Sequence, residues 1–371
     1  MGADLNAFPG LAEATYTAAM RIRPALLALL MTLLGAGAAQ AETWQLDAWD
    51  PPFRYDGRPQ SLDYQPLERA ERPWRLCASY PHLKDSYWLS VNYGMVEQAR
   101  QLGIHLEVVE AGGYPNLERQ RQQIADCVAR GAEALIVGTV SFDGLSDLMV
   151  ELAARIPIVA AVNDIADAGI SAKAGVSWTE MGYAIGRYFA ERHPAGTAPV
   201  KLAWFPGPKG AGWVRFVETG FIQGLQGSAA EVVVTKFGDT GTEIQTILIE
   251  EALEEHPEID TIVGSAVTAE AAVSVLRARG LTDRIEVLAD YFTHGVFRGI
   301  KRGKILAAPT DSPVMQGRLA IDQAVRLLEG KPVVEHAGPR IVVIDPASID
   351  SLALENSLAP AWFNPVFVVE P

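Results

Sequence analysis

The sequence predicts an α/β protein made of two doubly wound parallel-sheet lobes. Short apolar runs alternate with longer segments whose apolar residues recur at helical spacing. This alternation forms two successive series, separated by the breaker-rich segment 193–199 (HPAGTAP). Strands that alternate with helices call for a parallel sheet covered on both faces. A chain of 371 residues is also long enough for two domains.

The first series begins after Trp74, and Gly103 closes its first helix. Its predicted strands cover residues 75–80, 104–109, 133–138, 156–162 and a short stretch near 173–176. Its predicted helices cover residues 86–102, 116–130, 143–154 and 178–192.

The second series is followed by one more helix and one more strand. Its predicted strands cover residues 200–205, 231–236, 259–264, 284–289 and, after the last helix, 340–344. Its predicted helices cover residues 212–226, 241–255, 267–279, 291–302 and 312–329. The flanking segments 42–73 and 345–371 lack a clear period, and we expect 42–73 to be an extended arm on the surface.

The N-terminal region has the pattern of a secretory signal. Arg21 and Arg23 precede the apolar stretch 25–34, and 39–41 (AQA) is a small-x-small cleavage site. Glu42 would then be the first mature residue, and the residues upstream of the signal are interpreted as a mis-assigned start. The alternative is a membrane anchor, but the apolar stretch is short for a bilayer. We therefore expect a periplasmic protein without direct membrane insertion.

Charge and motif content argue against several function classes. A formal net charge of −14 disfavours nucleic acid and anionic lipid, which require clustered Lys and Arg. The six histidines lack metal-binding spacing, and no nucleophile elbow occurs. The glycine-rich loop 207–212 lacks the spacing of a phosphate loop and is interpreted as a turn. We expect no enzymatic activity, cofactor or metal.

The two cysteines, Cys77 and Cys127, leave two interpretations open. Cys77 lies on the first strand, and Cys127 lies on the helix that joins the second and third strands. In a doubly wound sheet that helix packs across the first strand, so a disulfide is possible in an oxidising compartment. The alternative is a pair of small buried apolar side chains.

The turn after the first strand carries the clearest ligand signal. Asp85, Tyr87 and Trp88 follow the carboxyl end of strand 75–80, where open α/β sheets bind their ligands. A carboxylate with two neighbouring aromatic residues is unusual for a core segment. Asp85 is also a reasonable N-cap for the following helix. The alternative for Tyr87 and Trp88 is that their rings only pack on the surface of the lobe.

Four segments resemble the type I periplasmic binding proteins, in particular the ribose-binding-like group, over nearly all of residues 74–345. They are the turn 80–88, the helix–strand signature 124–137, the small-residue helix 182–188 and the strand 303–308 (GKILAA). The resemblance implies two lobes that close on a ligand across a three-stranded hinge.

The resemblance also implies a division of the chain. The first lobe would comprise residues 74–177 and 310–335. The second would comprise residues 178–309 and 336–371, including the C-terminal tail.

Longer segments are similar to a sensor-coupled branch of this family. They cover residues 76–95, 110–114, 256–260 and 298–303. This similarity implies binding of trimethylamine N-oxide (TMAO) and partnership with the periplasmic domain of a sensor histidine kinase. The alternative is a substrate-binding protein that supplies a sugar or another small polar solute to an ABC importer.

TMAO has three methyl groups around a formally positive nitrogen and one compact oxide. Its methyl face should be recognised by aromatic rings, and a carboxylate can add attraction. The resemblance places further rings at strand ends that face the cleft. The expected site residues are Asp85, Tyr87, Trp88, Tyr114, Trp178 and Tyr291. Asp290 and Arg215 are weaker candidates, since they match positions that bind ligand in sugar-binding members.

Overall fold

The computed structural model describes residues 42–55 and 57–371. The predicted signal lies outside these residues. Among the helices of the described part of the chain, none is both long and apolar enough to cross a bilayer.

The described chain contains fifteen strands and nine α-helices, numbered here in chain order. The strands are β1 (Trp44–Ala48), β2 (Gln60–Tyr64), β3 (Arg75–Tyr80), β4 (His105–Glu110), β5 (Ala134–Val137), β6 (Ile158–Ala161), β7 (Ala172–Ala174), β8 (Val200–Gly207), β9 (Ala230–Phe237), β10 (Thr261–Gly264), β11 (Glu286–Ala289), β12 (Ala308–Thr310), β13 (His336–Pro339), β14 (Val342–Ile344) and β15 (Val368–Val369). The helices are α1 (Ser86–Leu102), α2 (Leu117–Ala129), α3 (Ser146–Ala153), α4 (Trp178–Arg192), α5 (Val214–Gly224), α6 (Thr242–Glu255), α7 (Ala266–Ala278), α8 (His294–Lys301) and α9 (Pro313–Leu328).

Two sheets form the cores of the two lobes. The first has nine strands in the order β15-β4-β3-β5-β6-β7-β13-β1-β2, and its strands from β4 to β13 are parallel. The second has four parallel strands in the order β11-β10-β8-β9. Central strands such as β5 and β10 are buried along their whole length, as expected where helices cover both faces. The predicted α/β class with two doubly wound lobes is confirmed.

Three crossovers connect the lobes and form the hinge. Residues 175–177 lead from β7 in the first sheet to α4, which packs on α5 in the second lobe. Residues 310–312 return from β12 to α9, which packs on α1, and residues 340–341 join β13 to β14. Strands β12 and β14 pair antiparallel, with Pro309 opposite Val343.

The N-terminal arm is more ordered than the sequence interpretation expected. Strand β1 pairs antiparallel with β13 and β2, so two strands of the predicted surface arm 42–73 extend the first sheet. Trp44 is 2% exposed and Leu46 is fully buried. The alternation of buried and exposed positions in β1 could have predicted this strand. It is hard to recognise because the strand is short and its flanking segments are rich in proline and charged residues.

The segment 336–371, predicted to belong to the second lobe, also contributes strands to the first sheet. Strand β13 pairs with β7, and β15 pairs with β4, so both belong to the first sheet. The assignment of all of 336–371 to the second lobe is therefore wrong for these strands. A two-residue strand such as β15 has too little pattern to be recognised from sequence. The other lobe boundaries stay a prediction.

The structure pairs Cys77 of β3 with Cys127 of α2 as a disulfide, with a Cα–Cα distance of 6.2 Å. The helix α2 crosses the first sheet over β3, which brings both cysteines into the same apolar cluster.

Replacing both cysteines by alanine is expected to lower the free energy of unfolding by about 3–4 kcal/mol, because the crosslink closes a loop of 50 residues. Urea denaturation monitored by circular dichroism measures the change. Dithiothreitol should destabilise the wild type and leave the double variant unaffected. Equal stability of oxidised wild type and double variant would contradict the expectation.

Candidate ligand-binding site

Six aromatic rings from both lobes meet in the cleft. Each belongs to a segment that follows the carboxyl end of a strand, as the doubly wound topology predicts. Neighbouring rings are 5.1 to 6.4 Å apart, centroid to centroid, and most meet edge to face. We call this group the aromatic cage. Its members are Tyr87, Trp88, Tyr114, Trp178, Trp213 and Tyr291.

Asp85 positions two rings of the cage at the start of α1. Its backbone is extended, and its Oδ1 accepts hydrogen bonds from the backbone N–H groups of Tyr87 and Trp88, both at 3.1 Å. The carboxylate is 11% exposed and also lines the cage. The two interpretations of Asp85 are therefore compatible, because the same side chain caps the helix and faces the cleft.

Tyr87 is fixed by the hinge. Its hydroxyl donates to Oδ2 of Asp311 at 2.5 Å, and Asp311 lies in the crossover 310–312. Gln316 also donates to that carboxylate oxygen, at 2.7 Å. Burial raises the pKa of Asp311, while the Tyr87 and Gln316 hydrogen bonds act in the opposite direction. One wall of the cage is thus hydrogen-bonded directly to a segment that connects the two lobes.

Tyr114 is held by a buried asparagine. The Nδ2 group of Asn163 donates to the Tyr114 hydroxyl at 3.2 Å and to the carbonyl of Thr139 at 2.8 Å. Asn163 is 1% exposed and lines the cage. These bonds set the position of the ring that follows β4.

The second lobe contributes three rings. Trp178 begins α4, and its indole N–H donates to the carbonyl of Val162 in the first lobe at 3.0 Å. Trp213 packs between Trp178 and Tyr291, with centroid distances of 5.1 and 5.9 Å. The indole N–H of Trp213 is buried and makes no hydrogen bond within the described residues. It is therefore a donor without an acceptor.

Several contacts across the cleft show that the lobes are closed. Tyr87 and Tyr291 are 5.1 Å apart, ring to ring. The His82 imidazole is 3.0 Å from the hydroxyl of Thr240, which lines the cage from the second lobe. The rings nearly fill the closed cleft and leave a cavity of only about 10 Å³ among them. Pockets for drug-sized ligands occupy about 300–1,000 Å³, so the closed cleft has no room for a ligand of that size.

Two acidic side chains, Asp85 and Asp290, lie near Tyr291 of the cage. Burial raises the pKa of the Tyr291 hydroxyl, and the carboxylates of Asp85 and Asp290 raise it further. Asp290 is fully buried, its two carboxyl oxygens lack hydrogen-bond partners among the described residues, and burial raises its pKa well above its usual range. Ring faces and the Asp85 carboxylate, which lines the cage, both favour a positive charge over a negative one.

The structure brings all six sequence-predicted residues together, while their role in binding stays a prediction. The weaker candidates Asp290 and Arg215 do not line the cage. The sequence reasoning missed Trp213, Asn163 and Thr240, which follow β8, β6 and β9. Trp213 was detectable by the strand-end rule, but the preceding glycine-rich loop was interpreted only as a turn. Asn and Thr are ordinary loop residues and gave no comparable signal.

Comparisons with known proteins agree with this architecture. The family described as "Periplasmic binding protein domain" matches residues 78–332. The periplasmic protein TorT of Escherichia coli K12 is 42% identical over 299 residues, which cover 81% of this chain and 86% of TorT. The similarity to a sensor-coupled branch is thereby confirmed.

Two solved structures are also similar to this chain. An ABC transporter solute-binding protein from Bradyrhizobium sp. BTAi1 with bound Bis-Tris is 49% identical, with a TM-score of 0.76. The match covers 89% of this chain and 99% of the Bradyrhizobium chain. A complex of the TorS sensor domain with TorT in the presence of TMAO gives 41% identity and a TM-score of 0.72, covering 79% of this chain and 99% of that one. By sequence, fold and cleft architecture, this chain belongs to the periplasmic binding protein family.

Proposed function

We propose that this protein is a periplasmic sensor that binds TMAO in the aromatic cage. It reports its state to the periplasmic domain of a TorS-like sensor histidine kinase and so regulates genes of TMAO respiration. The cage itself carries the proposal: six rings from both lobes surround a space beside the Asp85 carboxylate. The TorT similarity and the TorS–TorT complex with TMAO support the choice of ligand and partner.

The chemistry of TMAO matches the groups present. Its methyl groups carry partial positive charge and would lie against ring faces. Each ring face would contribute about 0.5–2 kcal/mol to the binding free energy. Asp85 adds attraction for the ammonium centre. The oxide is a strong acceptor, and the unpartnered indole N–H of Trp213 is a buried donor in the cage wall.

Binding would act through a shift in population between open and closed forms. The ligand contacts rings from both lobes only when the cleft is closed, so it binds the closed form better and stabilises it. The kinase domain would then respond to the relative position of the lobes. No catalytic step is required, and TMAO is released unchanged.

The same proposal places the mature protein in the periplasm after cleavage behind residue 41. The basic, apolar and small-residue segments of the N-terminal region support export by this route.

Calorimetric titration of the protein with TMAO tests the ligand. Saturable heat is expected with TMAO, with weaker binding of trimethylamine, which lacks the oxide, and of the bulkier glycine betaine. Ribose, which has no cationic centre, should give no heat. Binding of ribose without binding of TMAO would contradict the proposal.

A solute-binding role in an ABC importer is the second candidate. It is favoured by the Bradyrhizobium protein, whose bound Bis-Tris carries a tertiary amine. Co-elution of this protein with the periplasmic domain of its kinase in size-exclusion chromatography is expected for a sensor. Protein-dependent uptake of the ligand by cells, without co-elution, would favour the importer.

A further inference from the structure

The C-terminal segment forms a fourth passage between the lobes, in addition to the three crossovers of the hinge. It leaves β14, which pairs with β12 beside the second sheet, and it ends in β15 at the edge of the first sheet. We call residues 345–367 the C-terminal strap. Apart from one short 3₁₀ turn, Leu354–Asn356, the strap has irregular backbone. Its position therefore depends on its bonds to the parts of the protein that it crosses.

The end of the strap is fixed to the first lobe. The side-chain amide of Asn92 on α1 donates to the Val366 carbonyl at 3.0 Å, and its oxygen accepts from the Val366 N–H group at 2.9 Å. The rings of Tyr93 and Phe363 are 5.0 Å apart, centroid to centroid. Strand β15 then pairs with β4. We therefore expect this end of the strap to move with the first lobe.

The start of the strap is held by the second lobe. It continues directly from β14, and Lys301 on α8 forms an ion pair with Asp350 at 2.6 Å. Between its two ends the strap crosses the hinge, where the hydroxyl oxygens of Ser357 and Thr310 are 2.9 Å apart. Ser357 is fully buried, and Thr310 lies in the crossover 310–312. The strap is thus bonded to both lobes and to the hinge between them.

Ala359 of the strap bridges the two lobes directly. Its N–H group donates to the Ser90 hydroxyl on α1 at 3.1 Å. Its carbonyl accepts a hydrogen bond from Nε2 of His294, the first residue of α8, at 2.7 Å. Ser90 and His294 each follow a cage residue, Tyr87 or Tyr291, by three positions, which span at most about 10 Å. The bridge therefore lies close to the point at which these two rings meet across the cleft.

We propose that the C-terminal strap stabilises the closed form of the protein, and that His294 is a positioning residue for ligand binding. Opening of the cleft separates α8 from α1, while Ala359 stays with the first lobe. The His294–Ala359 hydrogen bond is therefore made in the closed form and broken in the open form. Since the ligand binds the closed form, loss of this bond lowers ligand affinity, although His294 does not line the cage. Only the readout with TMAO rests on the proposed function.

Removal of the His294 donor tests this role. His294→Phe keeps an aromatic ring but has no N–H group, so TMAO affinity in calorimetric titration should fall by about fivefold, as for the loss of one hydrogen bond. His294→Gln should recover most of the affinity, because the glutamine Nε2 also donates and can take the place of the imidazole Nε2. His256→Phe is the matched control. His256 belongs to the same lobe and lies 3.2 Å from the nearby Glu258, so this variant should bind TMAO as the wild type does.

A crosslink between the lobes measures the closed form without any ligand. Nζ of Lys84 in the first lobe lies 3.4 Å from Oδ2 of Asp239 in the second, so a carbodiimide can join them as an amide when the cleft is closed. The ion pair of Lys201 and Glu231 within the second lobe is the internal reference. In ligand-free His294→Phe, mass spectrometry should show about fivefold less of the 84–239 crosslink, relative to this reference, than in the wild type.

The two readouts separate this inference from the proposed function. An unchanged relative crosslink yield in a folded His294→Phe variant would overturn the role of the strap, whether or not TMAO binds. If His294→Phe and His294→Gln lower the yield equally, the N–H donor is not the cause and the assignment of His294 is wrong. The expected fall in crosslink yield, without TMAO binding to the wild type, would contradict only the proposed function.

Discussion

Replacing Trp88 and Trp178 together by leucine is expected to weaken TMAO binding by about 100-fold. Each ring face contributes about 0.5–2 kcal/mol to a bound ammonium-type centre, and 1.4 kcal/mol corresponds to a factor of ten. Leucine keeps an apolar side chain at each position, so the change reports mainly the loss of the ring faces. Calorimetric titration of the folded variant with TMAO measures it.

Two control variants make this result specific. The double phenylalanine variant, Trp88→Phe with Trp178→Phe, retains a ring at each position and should recover most of the affinity. Trp362→Leu removes a tryptophan that is 69% exposed and lies outside the cage, so it should bind as the wild type does. If the double leucine variant binds TMAO with unchanged affinity, the cage does not recognise the ligand.

Gly212→Ala is expected to prevent closure of the cleft and to reduce TMAO affinity by about 100-fold or more. A Cβ at this position would lie 2.0 Å from the carbonyl oxygen of Asp164 and 3.3 Å from Thr139, both in the opposite lobe. The first contact is with backbone, which cannot move aside as a flexible side chain can. The three atoms nearest to the added methyl all belong to the first lobe, so each lobe should fold normally.

Small-angle X-ray scattering with and without TMAO measures the closure. The wild type should become more compact on addition of the ligand, while Gly212→Ala should keep its larger radius of gyration. Gly57→Ala is the control, because a Cβ there meets no atom within 4 Å. Ligand-dependent compaction of Gly212→Ala with wild-type affinity would show that the observed lobe contact is not needed for binding.

The sequence predicts the repeating strands and helices well because their period is strong. Strand β3 and helix α1 begin and end where the pattern indicates, and the remaining βα elements differ by a few residues. The arm is different, because β1 pairs with β13, which is distant in the chain, and β2 pairs with β1. Local propensity carries little information on such pairing.

The candidate site also contains some residues that the sequence predicts and others that it does not. The rule that ligands bind at strand ends located Tyr87, Trp88 and Tyr114 because aromatic residues are conspicuous in loops. Trp213 obeys the same rule. The physical properties that make Asn163 important, its burial and its bond to the Tyr114 hydroxyl, arise only when the loops after β4 and β6 meet in three dimensions. No local pattern contains that information.

The nine-stranded sheet ends in β2 on one side and β15 on the other, so segments from near the two ends of the chain form its borders. An unpaired strand offers N–H and C=O groups to any passing chain and is a template for aggregation. Here the long parallel strand β4 is covered by a two-residue strand, and β13 is covered by β1 and β2. The terminal segments thus protect the sheet from edge-to-edge association, while the strand ends that carry the cage would be open to solvent when the lobes part.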